Sequence, residues 1–152
     1  AKANSALVSC FDKTSFVTAA FFIIETKKKS IEIARAGHCP PLYIKADQKE
    51  AFFIENKGLG LGIIRTDDYA NYIESKTYIY NKGDIMVLYT DGITEAKNES
   101  GDEYGYDRLK EIALTVMSKS AADISLKIVE SVHDFCEKRP PSDDHTIIVL
   151  KF

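Results

Sequence analysis

Five consecutive apolar residues, Ile85 to Tyr89, stand between a turn-forming stretch, Asn81-Lys82-Gly83-Asp84, and the polar Thr90-Asp91-Gly92. Side chains of an extended segment alternate between two faces, so a run without a polar member needs cover on both. Such a strand belongs inside a sheet, and the remaining elements must supply its neighbours and its cover.

The first half of the chain supplies strands. Phe16 to Glu25 is rich in aromatic and β-branched residues and stops at Lys27-Lys28-Lys29, a hairpin tip. Ser30 to Ala36 alternates, with Ile31 and Ile33 on one face and Glu32 and Ala34 on the other. Short strands are expected at Leu42–Lys45 and Ala51–Ile54, and another at Tyr72–Tyr80. Between them lies Gly58-Leu59-Gly60-Leu61-Gly62, read as a tight bend. It fails the dinucleotide pattern, because position 63 is Ile.

The second half turns helical. Leu109, Ile112, Ala113 and Val116 recur at helical spacing. Ser120 with Asp123 three residues on marks a helix start. Ala121, Ile124, Ile128, Val132 and Phe135 then form one stripe, stopped by Pro140 and Pro141. A last strand covers Thr146 to Phe152. Ala3, Ala6, Leu7 and Cys10 place a further helix at the start of the chain. Strands first and helices later describe an α+β domain with an antiparallel sheet.

At 152 residues the chain fits one domain and buries a core without disulfides. Cys10, Cys39 and Cys136 lack C-x-x-C spacing and read as reduced thiols of a cytoplasmic protein. A net charge of -3 argues against nucleic acid as a partner. No apolar run reaches the roughly 18 residues of a membrane span.

Asp91 directly follows the buried strand, and Asp143-Asp144 directly precedes the last one. If these two strands pair antiparallel, the carboxylates meet at one sheet end. Convergent carboxylates repel unless a cation lies between them, and hard oxygen donors suit Mg²⁺ or Mn²⁺. Asp-Gly is also a common turn dipeptide, and Asp-Asp before a strand a common loop. Spacing alone leaves both readings open. His133 with Cys136, and His38 with Cys39, match no zinc spacing. Asp84 reads as a turn residue.

Several segments together resemble a known family. They are Phe16-Val17-Thr18-Ala19-Ala20-Phe21-Phe22, Ala36-Gly37-His38-Cys39-Pro40-Pro41-Leu42 and Gly83-Asp84. Leu88 to Ala96 follows, then Tyr104-Gly105 and Asp143-Asp144-His145-Thr146. In this order they resemble the SpoIIE/RsbU-like branch of the PPM (type 2C) metal-dependent serine/threonine phosphatases. The resemblance implies an antiparallel β-sandwich flanked by helices, with a two-metal centre of Mn²⁺ or Mg²⁺. By it, Asp91 and Asp143 are catalytic metal ligands, Asp144 is the second choice beside Asp143, and Gly92 packs against the metal site. It also implies hydrolysis of phosphoserine or phosphothreonine by a metal-activated water, in bacterial signalling. The expected substrate is a phosphorylated regulatory protein, with STAS-type anti-anti-sigma factors among the candidates, and sensor domains are expected upstream.

The chain departs from the family at its start. The Gly-Asp whose carboxylate bridges both metals, and a Gly-His-Gly segment before the first helix, are not in the sequence. Residues 1–152 are therefore expected to be a single phosphatase domain lacking its N-terminal part, with first strands missing and sheet edges exposed. Weak metal binding and little phosphatase activity are expected of the isolated chain. The alternative is a pseudophosphatase that binds a regulatory protein. A dimer through the open sheet edges is a third option.

Overall fold

The computed structural model describes residues 1–137 and 143–152. Its elements, in chain order, are α1 (Lys2–Cys10), β1 (Ala19–Glu25), β2 (Ser30–Ala36), β3 (Leu42–Lys45) and β4 (Glu50–Phe53). A 3-10 helix (Asp67–Tyr72) precedes β5 (Ser75–Ile79) and β6 (Ile85–Tyr89). Then come α2 (Asp91–Thr94), α3 (Gly105–Thr115), α4 (Ala121–Phe135) and β7 (Ile147–Lys151). Both sheets are antiparallel, and the class is α+β. The helix stop expected at Pro140 and Pro141 lies outside the described residues. The chain divides into two compact units, residues 1–40 with 55–80, and residues 41–54 with 81–152.

The first unit holds a sheet of order β1-β2-β5. Its hairpin turns at residues 26–29, where Lys29 takes a positive φ of 51°, and the register runs from Glu25↔Ser30 to Ala19↔Ala36. Ile31 and Ile33 are fully buried on one face, as alternation requires. On the other face Ile23 of β1 and Ile79 of β5 are 65% and 67% exposed. β1 and β5 are the edges of this three-stranded sheet.

Helix α1 forms where expected but packs differently. Ala3, Ala6 and Cys10 are exposed, whereas Asn4 is 1% exposed. The Asn4 amide brackets one loop. Its Nδ2 donates to Ile64 O at 2.7 Å, and its Oδ1 accepts from Gly62 N at 2.8 Å. A polar residue is buried because both ends of its side chain are satisfied.

The glycine run is more than a tight bend. Leu61 and Val17 exchange backbone hydrogen bonds at 2.8 and 2.9 Å, and Gly37 N donates to Gly58 O at 3.0 Å. A Cβ on Gly58 would fall 1.4 Å from Arg35 O. No larger residue fits at that crossing of two backbones. Around it Ala36, Leu61 and Tyr69 form a core, with Leu7, Ala19, Ile64 and Ile73 packed against it.

The second unit holds a sheet of order β4-β3-β6-β7. β6 is interior, paired with β3 (Leu42↔Val87) and β7 (Val87↔Val149). Ile85, Met86, Val87 and Tyr89 are buried and Leu88 is half-buried, so the apolar run is covered on both faces. Helix α4 packs on β7 and α3. Its Ile124, Ile128 and Val132 are fully buried, each stabilising by about 1.5–3 kcal/mol. Ser120 caps α4 as expected, accepting from Asp123 N at 3.1 Å and donating to Asp123 Oδ2 at 2.6 Å.

Asp84 is more than a turn residue. It is 1% exposed, and its carboxylate accepts from Tyr43 Oη at 2.7 Å, Ala46 N at 2.9 Å and Asn81 N at 2.8 Å. Burial first, then the hydrogen bond and charge of Asp84, push the Tyr43 hydroxyl well above its usual pKa. One carboxylate thus ties β3 to the turn before β6. Asp84→Ala leaves three donors without their acceptor, one of them the buried Tyr43 hydroxyl, and is expected to lower stability by about 1–3 kcal/mol. Denaturant unfolding against the parent chain checks this; a midpoint within error of the parent would refute it.

Candidate metal centre

The pairing assumed for the carboxylates is present. β6 and β7 run antiparallel with Tyr89 opposite Ile147, so the end of one adjoins the start of the other. Thr90 extends the ladder by one rung. Its amide donates to Thr146 O at 3.1 Å, and its hydroxyl accepts from Thr146 N at 2.9 Å and donates to Asp144 O at 3.1 Å. One hydroxyl therefore holds the entry of β7 against the exit of β6.

Asp91 opens α2, a single helical turn. Its backbone oxygen accepts from Glu95 N at 2.8 Å and Thr94 Oγ1 at 3.2 Å, which closes the turn. Its side-chain Oδ1 accepts from Gly92 N at 3.0 Å. Asp143 Oδ1 accepts from Asp144 N at 2.7 Å. Asp91, Asp143 and Asp144 are all solvent-exposed, while Gly92 is buried.

Gly92 works by space. A Cβ there would lie 2.7 Å from Asp144 O and 3.1 Å from His145 Cδ2. Only glycine lets α2 and the segment before β7 approach this closely. The backbones that carry Asp91 and Asp144 are therefore adjacent, with Asp143 one residue further on.

The donors fit a hard divalent cation in kind. They are exposed carboxylate oxygens at a close approach that a Cβ would fill. They do not fit in number. No group of three or more His, Cys, Asp or Glu side chains is clustered for a metal among the described residues. Cys136 is buried, which pushes its thiol pKa up, and His133 is exposed. His38 lies in the first unit, its Nδ1 3.3 Å from Thr18 Oγ1.

Sequence reading missed Thr90, Thr146 and His145. The signal for the two threonines was available. Once Tyr89 is set opposite Ile147, the next rung sets Thr90 opposite Thr146. His145 had no signal, because its partner is the absent side chain of Gly92.

This architecture is that of the PP2C-type phosphatase domains. The SiaA-PP2C domain of Pseudomonas aeruginosa superimposes with a TM-score of 0.78 at 17% identity, over 99% of this chain and 57% of that one. The phosphatase domain of SpoIIE from Bacillus subtilis gives 0.69 at 16% identity, over 99% of this chain and 63% of that one. Residues 1–152 match the family model described as stage II sporulation protein E (SpoIIE), and the chain belongs to that family. The phosphoserine phosphatase RsbU of Bacillus subtilis (strain 168) is 32% identical over 143 residues. That match covers 92% of this chain and 40% of the relative, so the chain spans less than half the length of its curated relative. No described helix is long and apolar enough to cross a membrane.

The Thr90 rung has a direct test. Thr90→Val keeps the shape but leaves Thr146 N and Asp144 O without their partner. It is expected to cost about 0.5–1.5 kcal/mol, while Thr90→Ser, which keeps the hydroxyl, retains most of the stability. Melting temperatures of the two variants check this, and equal values for Val and Ser would refute it.

Proposed function

We propose that residues 1–152 are part of a metal-dependent phosphatase domain, acting on phosphoserine or phosphothreonine of a regulatory protein in bacterial signalling. The observation that carries the reading is the close approach of the Asp91 and Asp144 segments at Gly92. Family membership and the 32% identity to a phosphoserine phosphatase support it.

Asp91 and Asp143 are the ligands we assign to Mn²⁺ or Mg²⁺, with Asp144 as the second choice beside Asp143. When bound, a pair of such cations supplies positive charge for the phosphate dianion and a water whose pKa falls towards about 7. The chain's own contribution is positioning. The interior strand β6 presents Asp91, β7 presents the Asp143-Asp144 segment, and the Thr90 rung fixes the spacing between them. Prepositioned charge of this kind is worth several kcal/mol in a phosphoryl transfer. No Ser or Cys nucleophile is required by this chemistry.

The partner we assign is a phosphorylated regulatory protein, with a STAS-type anti-anti-sigma factor as one candidate and sensor domains elsewhere in the parent protein. The alternative for this stretch taken alone is a module that binds such a protein without turning it over.

Phosphate release from a phosphoserine peptide, followed with Mn²⁺ and with chelator, separates the two. Release that needs Mn²⁺ and falls on the order of 100-fold in Asp91→Asn supports the phosphatase. Release indifferent to both chelator and Asp91→Asn overturns the site assignment. Phosphopeptide binding with no release in any condition supports the binding module.

A further inference from the structure

Strand β1 stands at the edge of its sheet but has the make-up of an interior strand. It runs seven residues, Ala19–Glu25, and all but Glu25 are apolar. Edge strands are ordinarily guarded by a charge, a proline, a bulge or a short length, because their outer backbone groups can pair with another strand. The other three edges carry such guards. β5 has Lys76 within the strand, and β4 has four residues and begins on Glu50. β7 ends on Lys151, and Ile148 is its one largely exposed apolar residue. β1 has none of these devices. Its register against β2 is one-to-one from Ala19↔Ala36 to Glu25↔Ser30, so no bulge turns it away. Phe21, Ile23 and Ile24 are 48%, 65% and 39% exposed.

The strand is also complementary to itself. Opposed residues of an antiparallel pair share a face, so a second copy of β1 fits beside it only in registers that keep inward and outward side chains apart. One such register uses the whole strand. Phe22 lies on the two-fold axis, Phe21 meets Ile23 of the second copy, Ala20 meets Ile24, and Ala19 meets Glu25. This makes two aromatic–β-branched pairs, a favourable cross-strand combination. Charge does not oppose it. Glu25 is the strand's one charged residue, Lys28 Nζ pairs with it at 3.0 Å, and the two copies of that pair lie at opposite ends. A net charge of -3 per chain adds little repulsion.

We infer that the outer edge of β1 is a self-association surface, on which a second copy of this chain adds antiparallel and joins two three-stranded sheets into one. The inference is independent of the metal reading, since every residue it uses belongs to the first unit. A two-fold pairing consumes the edge that makes it, so assembly closes at the dimer. Area sets the strength. With large side chains burying about 150–250 Å² each, the exposed parts of Phe21, Ile23 and Ile24 supply on the order of 300 Å² per copy. Two copies then stay below the roughly 1,200 Å² at which stable interfaces begin, and the dimer dissociates in the micromolar range or above.

The test is sedimentation equilibrium of the chain from about 1 µM to about 500 µM, with hydrogen exchange recorded at both ends of the range. The variants are Ile23→Lys on β1 and Ile79→Lys on β5, which start from nearly equal exposure, and each variant's melting temperature is recorded alongside. We expect a monomer–dimer equilibrium in the parent. Alternate amides of β1, those directed away from β2, should gain protection as the dimer forms. Ile23→Lys replaces both aromatic–β-branched pairs and should weaken dimerisation about 10-fold or more, with the melting temperature of the dilute protein kept. Ile79→Lys should dimerise like the parent.

A parent that stays monomeric at the highest concentration overturns the inference, as does growth beyond the dimer. Dimerisation equally weakened by both substitutions, without new protection in β1, also overturns it, because the sheet's face and not its edge would then be the contact. If Ile23→Lys does not melt cooperatively, Ile23→Thr serves in its place. Weaker dimerisation in it supports the β1 edge, and parent-like dimerisation overturns it.

Discussion

The antiparallel pairing of β6 with β7 carries most of what this chain can do. β6 is interior and apolar, so its place in the sheet is set by burial on both faces. β7 then has one register available, because a slip by one residue would turn its inward side chains outward. With that register fixed, the exit of β6 and the entry of β7 share one end of the sheet. Residues 52 positions apart in sequence become neighbours there. Everything polar at the site hangs on this one ladder: Asp91, the Thr90 rung, the Asp144 carbonyl and the space at Gly92.

Three polar side chains each tie a loop or turn to the element beside it. Asp84 gathers three donors at the turn before β6. Asn4 brackets the loop at 62–64. Lys151 Nζ donates to Met117 O at 3.0 Å and Lys119 O at 2.6 Å, closing the link between α3 and α4. In each case a side chain satisfies backbone groups that the regular element leaves without partners. The apolar core supplies the cohesion, and these contacts decide where the chain turns.

The sequence announced what depends on local pattern. Ile85–Tyr89, Leu42–Lys45 and Ser30–Ala36 form strands with the bounds their alternation and flanking turns imply. The Ser120–Asp123 cap and the apolar stripe of α4 are also as read. What stayed hidden depends on a second, distant segment. The spacing of glycines at 58, 60 and 62 is visible, but not the Arg35 carbonyl that requires Gly58. The apolar side of α1 is visible, but not the loop that draws Asn4 inward. The 3-10 helix at 67–72 has no periodic signature at all. At the site, Asp91 and Asp143 were readable as a pair only on the condition that their strands meet. The contact of His145 with Gly92 was invisible, because an absent side chain leaves no pattern.

The far end of β7 is held as firmly as its entry. Gly83 N donates to Phe152 O at 2.6 Å, and Phe152 N donates to Asp84 O at 2.9 Å. The strand is thus pinned at Thr146 and again at Phe152, like a rod clamped at both ends. Its residue count is then a length standard. Each residue of strand spans about 3.3 Å, so a deletion within β7 could not be absorbed by sliding. It would break one clamp or the other, and if the Phe152 clamp held, the aspartates would be drawn back from Asp91 by more than the bond length of any metal ligand.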